Sequence, residues 1–532
     1  MTAPIVPVRA SYNDVVDAFA WLIPEAFNIG VACSDAQPAA DTAVIEFDPA
    51  GQHRSHTFGA LADSSSRLAN ALLGLGLETG DRVAILLPQS FAAAVAHLGI
   101  YKASLVALPL SPLFGPEALQ HRLADSGARA IVVSGDLVDT VAAIAGALDI
   151  VVIAHGDDPV GAHRHLADLL AAASGSCPPQ TTTAESAAFV IYTSGTTGAP
   201  KGALHAHRSL FGHLPGFELS HSYFPQPGDA FWTPADWAWI GGLMDALLPT
   251  LYLGRPIVAG PRARFDPELA VRIIVETGVR NVFIPPTALR LMKAAGVLLP
   301  PGTLRTAMSG GEALGADTLE WAHASLGVTI AEIYGQTEAN YLVGNAPDLW
   351  DVRPGSMGRP YPGHTVAVLD EQGERLAPGE VGEIGLLTPD PVAFLGYWNA
   401  DEATAQKFTG AWLRTGDLAT CDDDGYLWFK GRADDLIISS GYRISPVEIE
   451  QCLSRHPAVA TVAVVGVPDA LRGQLVKAFV VPIGVGDATL AKELQDFVRR
   501  QLAAYEFPRE IEFVHELPLT VTGKIRRGAL RS

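Results

Sequence analysis

Eleven residues from Tyr192 to Gly202, YTSGTTGAPKG, gather four hydroxyl side chains (Thr193, Ser194, Thr196, Thr197), three glycines and Lys201 into one turn-rich stretch. Glycines let a backbone curl until successive N–H groups point at one anion, and hydroxyls add donors of the same sense. Lys201 adds a positive charge, so these residue types at this spacing suit a polyphosphate. The stretch is not a Walker loop: Pro200 and Lys201 follow the four residues after Gly195, and Gly202 stands where a magnesium-holding hydroxyl would be. A flexible Gly/Thr linker is the plainer reading. Such a linker has no use for a lysine and a proline directly behind an apolar, strand-like run, Ala187 to Tyr192.

Four further segments carry charged or hydroxyl residues in compact patterns: YGQTE (Tyr334 to Glu338), TGD (Thr415 to Asp417), GRADDLIISSGYRISPVEIE (Gly431 to Glu450), and TGK with IRR (Thr522 to Arg527). In this order the five segments resemble the signatures of the adenylate-forming superfamily: acyl-CoA synthetases, luciferases and the adenylation domains of peptide synthetases. The resemblance runs from about Ala187 to the C-terminus, and the first 180 residues are similar only in general character.

The resemblance implies two half-reactions. A carboxylate attacks the α-phosphate of ATP, releasing pyrophosphate and leaving an acyl-adenylate. A thiol, usually CoA, then attacks the acyl carbon and expels AMP. Two anions must be brought together and charge stabilised as it builds on the α-phosphate. By resemblance, Lys524 bridges carboxylate and α-phosphate, a task that suits a mobile ammonium. Without the other motifs it would read as one cation of a basic tail that includes Arg526, Arg527 and Arg531. Glu338 matches the magnesium ligand, with Thr193 assisting. Thr337 is expected to donate to the α-phosphate and Tyr334 to flank adenine. Ser194, Gly195, Thr196, Thr197 and Lys201 would cradle the phosphates. Gly310, Gly311 and Glu312 would lie along adenine, although Gly-Gly-Glu reads equally as a turn after a strand. Asp417 would accept the ribose hydroxyls, with Arg432 as a second contact. Asp434 matches the hinge. Gly441 would let the CoA arm pass, and Arg443 and Arg472 are phosphate partners or surface ion pairs.

SSGYRI and the segment Arg472 to Phe479 most resemble medium-chain acyl-CoA synthetases and their acetate-using relatives. The latter carry a tryptophan just before Gln-Thr-Glu, where this chain has Gly335. Gly335 and Trp239 of ADWAWIGG are therefore expected to line an acyl pocket roomy enough for a medium-chain, branched or aryl acid. Two alternatives stand beside CoA ligation: loading an acyl or aminoacyl group onto a carrier protein, and non-catalytic nucleotide sensing. Against the first, no carrier domain follows Lys524, and Asp236 lies in Ala-Asp-Trp, not Phe-Asp.

These residues need elements to hold them. The chain has 532 residues, 48% hydrophobic and 18% charged, which suits a folded protein with large cores. A net charge of −20 disfavours a nucleic-acid partner, so ATP and CoA must be held by local positive groups. Four scattered cysteines suggest neither a disulfide framework nor a zinc site, in keeping with a reduced, cytoplasmic protein. No signal peptide or membrane span is expected, since Ala18 to Ala32 is broken by Pro24 and Glu25. A homodimer is compatible with the sequence. The pairs His163/His165 and His205/His207 lack a nearby third ligand and read as surface residues.

Short apolar runs alternate with helical patterns, which predicts an α/β fold. Strands are expected at 83–87, 131–133, 279–284 and 304–308, and a helix between Asp266 and Gly278. The polar, Pro-containing stretch Ser174 to Ser186 is expected to join two lobes of one large N-terminal domain, residues 1–433. Beyond it, residues 434–532 predict a small mobile α+β domain carrying Lys524. Its expected elements are helices at 446–453 and 490–502 and strands at 459–465, 477–481 and 510–514.

Overall fold

The computed structural model describes residues 4–156, 164–178, 181–193, 200–261, 265–312, 314–439, 442–469, 473–502, 506–519 and 525–531, with the backbone alone for Tyr442 and Arg443. The chain divides into two compact units, 1–365 with 386–413 and 366–385 with 414–532. The expected 433/434 division differs from these units by residues 366–385 and 414–433.

The first unit is built on two large, mainly parallel sheets. An eight-stranded sheet runs in the order Gly396–Tyr397, Lys201–Ala206, Ala187–Thr193, Val106–Pro109, Arg82–Leu86, Ala130–Ser134, Val151–His155, Arg164–His165. A nine-stranded sheet contains Thr306–Gly310 beside Ile330–Gln336, which pairs antiparallel with Ala339–Gly344. Such strands are covered on both faces, so they read as continuous apolar runs such as Val83 to Leu86. The Asp266–Gly278 pattern becomes the helix Pro267–Thr277. The Asp266 carboxylate accepts from the N–H groups of Glu268 and Leu269 at 2.8 and 3.2 Å, and Gly278 ends the helix at φ +69°.

Two expectations change. The stretch from Ser174 to Ser186, of which residues 179 and 180 lie outside the described residues, falls between the edge strand Arg164–His165 with its helix Leu166–Ala172 and the strand Ala187–Thr193 of the same eight-stranded sheet, so the elements on either side of it belong to one sheet and not to two lobes. His205 and His207 are fully buried, not on the surface. The His205 ring stacks on Phe189 at 4.8 Å, and burial lowers both imidazoles to about 3, so they enter the core neutral. His163 lies outside the described residues.

The N-terminal segment is pinned by Glu218 of the helix Ser209–Ser220, whose carboxylate oxygens accept from Ile5 N at 2.8 Å and Val6 N at 2.9 Å. Burial pushes this carboxyl from 4.5 to about 8. Between those values the folded chain holds a proton that the unfolded chain has released, so stability falls as pH rises through the window. A Glu218→Gln variant should show a shallower fall in Tm from pH 5 to pH 8 than the native chain. Parallel Tm curves would contradict the assignment.

The second unit holds most of a sheet containing Val366–Leu369, Gly382–Leu387, Trp412–Cys421 and Leu427–Arg432. Its other sheet runs Tyr442–Ile444, Ile437–Ser439, Gly473–Pro482, Val459–Asp469, with Glu510–Phe513 parallel to Gly473–Pro482. Helices Pro446–Leu453 and Ala488–Gln501, capped by Ser445 and Asp487, close a core of Ile437, Ile449, Val464, Val480, Leu494 and Val498. The elements expected after residue 434 are all present; the strands at 459–465 and 477–481 extend to Val459–Asp469 and Gly473–Pro482, while the last ends at Phe513, one residue early.

Candidate active site

The phosphate-type loop leaves the sheet as a hairpin in which Thr193 pairs with Lys201 and Tyr192 with Gly202. Ser194, Gly195, Thr196 and Thr197 lie outside the described residues, but both shoulders of the loop are held. Tyr192 Oη donates to Asp125 at 2.5 Å, and His121 Nε2 donates to the Pro200 carbonyl at 3.1 Å. Asp125 and His121 both belong to the helix Pro116–Ser126. Thr193 Oγ1 donates to the Lys201 carbonyl at 3.4 Å, and the Lys201 side chain is exposed.

YGQTE forms the end of Ile330–Gln336 and the tight turn into Ala339–Gly344, with an irregularity in register between Tyr334 and Gln336. The turn residues Thr337 and Glu338 are thus presented at the strand ends, where open α/β sheets place ligand sites. Glu338 is 8% exposed, and the phenol of Tyr397 donates to its Oε1. Lys201 Nζ stands 5.4 Å from the centre of the same tyrosine ring. Tyr397 therefore joins the lysine of one motif to the carboxylate of another. No spacing pattern marked Tyr397. It arrives through the short strand Gly396–Tyr397, which pairs with Ala203 and Leu204 just beyond Lys201. Tyr334 and Thr337 are half-buried.

Gly310 closes its strand where a Cβ would meet the Ile333 side chain at 2.6 Å and its carbonyl oxygen at 2.9 Å, while Gly311 turns at φ +96°. Packing and turn geometry thus account for both glycines. Glu312 pairs with Arg290 at 3.0 Å.

The acyl-side expectation for Gly335 changes. A Cβ there would stand 2.4 Å from Tyr341 N and 2.7 Å from Asn340 Cα. The glycine therefore serves the close approach of two strands, and its missing side chain does not open pocket volume. Trp239 is half-buried, edge-on to Phe114 at 5.6 Å, and directly precedes the helical turn Ile240–Gly242.

In the second unit, Asp417 pairs with Arg432 across two antiparallel strands, with Arg432 Nη1 3.2 Å from Asp417 Oδ1 and Arg432 Nε 3.0 Å from Asp434 Oδ1. Burial works against the guanidinium's charge, but Asp417, Asp434 and Asp435 outweigh it and hold its pKa above the ordinary value. The Asp417 N–H donates to Thr415 Oγ1 at 3.1 Å, fixing the Thr-Gly-Asp turn. Asp434 is exposed, whereas its neighbour Asp435 is buried and paired with Arg527 and Arg531. Arg527 also reaches Glu450 at 2.7 Å, so these two arginines are not a solvated tail. Lys524, Gly441 and Arg472 lie outside the described residues, as does the side chain of Arg443. The segment after Lys524 is anchored: Ile525 bridges Leu519, and Arg526 N donates to the Pro518 carbonyl at 2.8 Å.

Among the described residues no group of three or more His, Cys, Asp or Glu could hold a metal ion. A cation at Glu338 would thus need most of its oxygens from elsewhere, as magnesium on substrate phosphates does. Among the described residues no helix is long and apolar enough to cross a membrane, and the four cysteines are not disulfide-bonded.

The AMP-binding enzyme family matches residues 32–398, and its C-terminal domain matches residues 448–524. The Bacillus subtilis protein called uncharacterized acyl–CoA ligase YtcI is 34% identical over 92% of this chain and 92% of its own. Human mitochondrial acyl-coenzyme A synthetase ACSM2B is 35% identical over 90% of this chain and 85% of its own. Among solved structures, the anthranilate CoA ligase AuaEII in complex with anthranoyl-AMP superposes with a TM-score of 0.86 at 30% identity, covering 96% of this chain and 97% of that one. With Lys201, Glu338 and Tyr397 brought together inside the region that the family matches, the chain belongs to the AMP-binding enzyme family.

Proposed function

We propose that this protein is an AMP-forming acid–thiol ligase: it activates a carboxylic acid with ATP to an acyl-adenylate and transfers the acyl group to CoA. The observation that carries the reading is the meeting of Lys201 and Glu338 on Tyr397. A cation and a hard carboxylate that share one tyrosine suit a magnesium-bound triphosphate. Glu338, with Thr193, would hold magnesium, whose bound charge would offset that of the phosphates. Thr337, Lys201 and the residues of 194–197 would hold the phosphates, Tyr334 and Gly310 to Glu312 the adenine, and Asp417 with Arg432 the ribose. Lys524 is the catalytic lysine, and Gly441, Arg443 and Arg472 serve CoA.

The acid is medium-chain, branched or aryl. Support comes from the resemblance of SSGYRI and the segment Arg472 to Phe479 to medium-chain acyl-CoA synthetases, from the likeness to an anthranilate CoA ligase, and from the Trp239–Phe114 edge contact. A cytoplasmic location is in keeping with the scattered cysteines, and sedimentation would test for a homodimer. ATP–pyrophosphate exchange with a panel of acids, followed by CoA consumption, tests the reading. Exchange without CoA consumption would favour carrier loading, and no exchange with any acid would favour a sensor.

Residues 434–532 are proposed to move as a domain about Asp434 between the half-reactions. Asp434→Pro restricts backbone rotation at that one residue. It should keep one half-reaction and lower the other by roughly tenfold or more. An equal, small loss in both would move the pivot elsewhere.

A further inference from the structure

Asp245 belongs to no motif described above, yet it is a carboxyl at the heart of the first unit, 2% exposed. It lies in Leu243–Leu247, a π-helical turn between Ile240–Gly242 and Leu248–Tyr252. Such turns are rare and recur at functional sites, because the extra residue re-aims a side chain. Asn340 Nδ2 donates to Asp245 Oδ1 at 2.6 Å, and among the described residues Oδ2 has no hydrogen-bond partner. A buried carboxyl with one neutral donor is poorly compensated, and burial raises its pKa well above the usual range.

On the acid-ligase reading, this group lies close to the Trp239–Gly242 segment proposed to border the acyl chain and to the hairpin that carries Glu338. Asn340 lies two residues beyond Glu338 on the same hairpin, and its Oδ1 lies 2.8 Å from where a Gly335 Cβ would stand. The uncommitted Oδ2 lies 3.6 Å from the Cβ position of Gly241, a half-exposed glycine two residues after Trp239. The same Cβ position is 2.9 Å from the Phe283 ring. Glycine at 241 thus keeps a small gap between an aromatic edge and a carboxyl oxygen.

Resting on the acid-ligase reading, we propose that Asp245 is a specificity-determining residue, and that the preferred acid carries a hydroxyl or amino group on its tail, which bonds to Asp245 Oδ2. An acid with only carbon and hydrogen in its tail leaves that oxygen without a partner. Sites built to pair a polar substituent discriminate strongly against the analogue lacking it.

The test measures kcat/KM for matched pairs on the full-length enzyme: benzoate against its hydroxy- and aminobenzoates, and hexanoate against 6-hydroxy- and 6-aminohexanoate. At least one substituted acid should exceed its plain partner by about tenfold or more. Asp245→Asn keeps the shape and an acceptor for Asn340. It should lower kcat/KM for the amino acid of the preferred pair by about tenfold while leaving the plain acid within about threefold. A native enzyme that prefers every unsubstituted acid overturns the proposal, with no variant needed. An Asp245→Asn loss equal for all acids also overturns it, showing that Asp245 only braces the hairpin. If no acid supports exchange, the acid-ligase reading itself falls.

Discussion

Lys524→Ala should remove acyl-adenylate formation while sparing thioester formation from supplied acyl-AMP and CoA. Of the single substitutions considered, it has the largest expected effect. Charge on the α-phosphate grows during attack by the carboxylate, and a group present only for that charge contributes only to that step. Removing one such donor typically costs about 10²- to 10³-fold, so ATP–pyrophosphate exchange should fall at least that far. Thioester formation breaks the acyl C–O bond and its electron pair leaves with AMP; on the proposed domain movement this step uses a different face of residues 434–532, so it should remain within about threefold of native. The neighbouring arginines do not offer a substitute, because Arg527 and Arg531 are engaged with Glu450 and Asp435. Equal losses in both half-reactions would overturn the role.

The contrast between Lys524 and its neighbours shows where the sequence is legible. The helices Pro267–Thr277 and Pro446–Leu453 could be placed to within a residue or so, because their signals are local: a capping Asp or Ser, a proline in the first turn and, for the former, a glycine just after the end. The α/β class followed likewise from alternating strand and helix periods. Burial of His205 and His207 was not legible, because it depends on which faces of Lys201–Ala206 are covered by elements distant in sequence. Tyr397 was missed for the same reason: its meaning lies in reaching Lys201 and Glu338 at once, and neither is near it in the chain. Asp245 gave no signal because an acidic residue in an apolar stretch has no pattern. Only its burial and its single bond to Asn340 mark it.

Gly335 shows a different limit, since its size could be read from sequence but not the direction in which a side chain would point. From size alone, Gly335→Trp should fill an acyl pocket and shift preference toward acetate. The structure replaces that expectation. A Cβ at 335 would stand 2.4 Å from a backbone nitrogen and 2.7 Å from a Cα, distances that no rotamer change relieves. Even Gly335→Ala must push Ile330–Gln336 away from Ala339–Gly344, at a cost of about 1–3 kcal/mol of stability for an overpacked site. Glu338 sits in the turn closing that hairpin, and displacing a reacting group by about 1 Å costs about 10²-fold in rate. Both Gly335→Ala and Gly335→Trp should therefore lower kcat/KM on every acid by a similar factor, with tryptophan the worse. A chain-length profile from acetate to octanoate should keep its shape and lose its height. If Gly335→Trp instead moved the optimum to acetate at near-native rates, the strands would have to part without disturbing Glu338. Gly335 would then be the pocket floor after all.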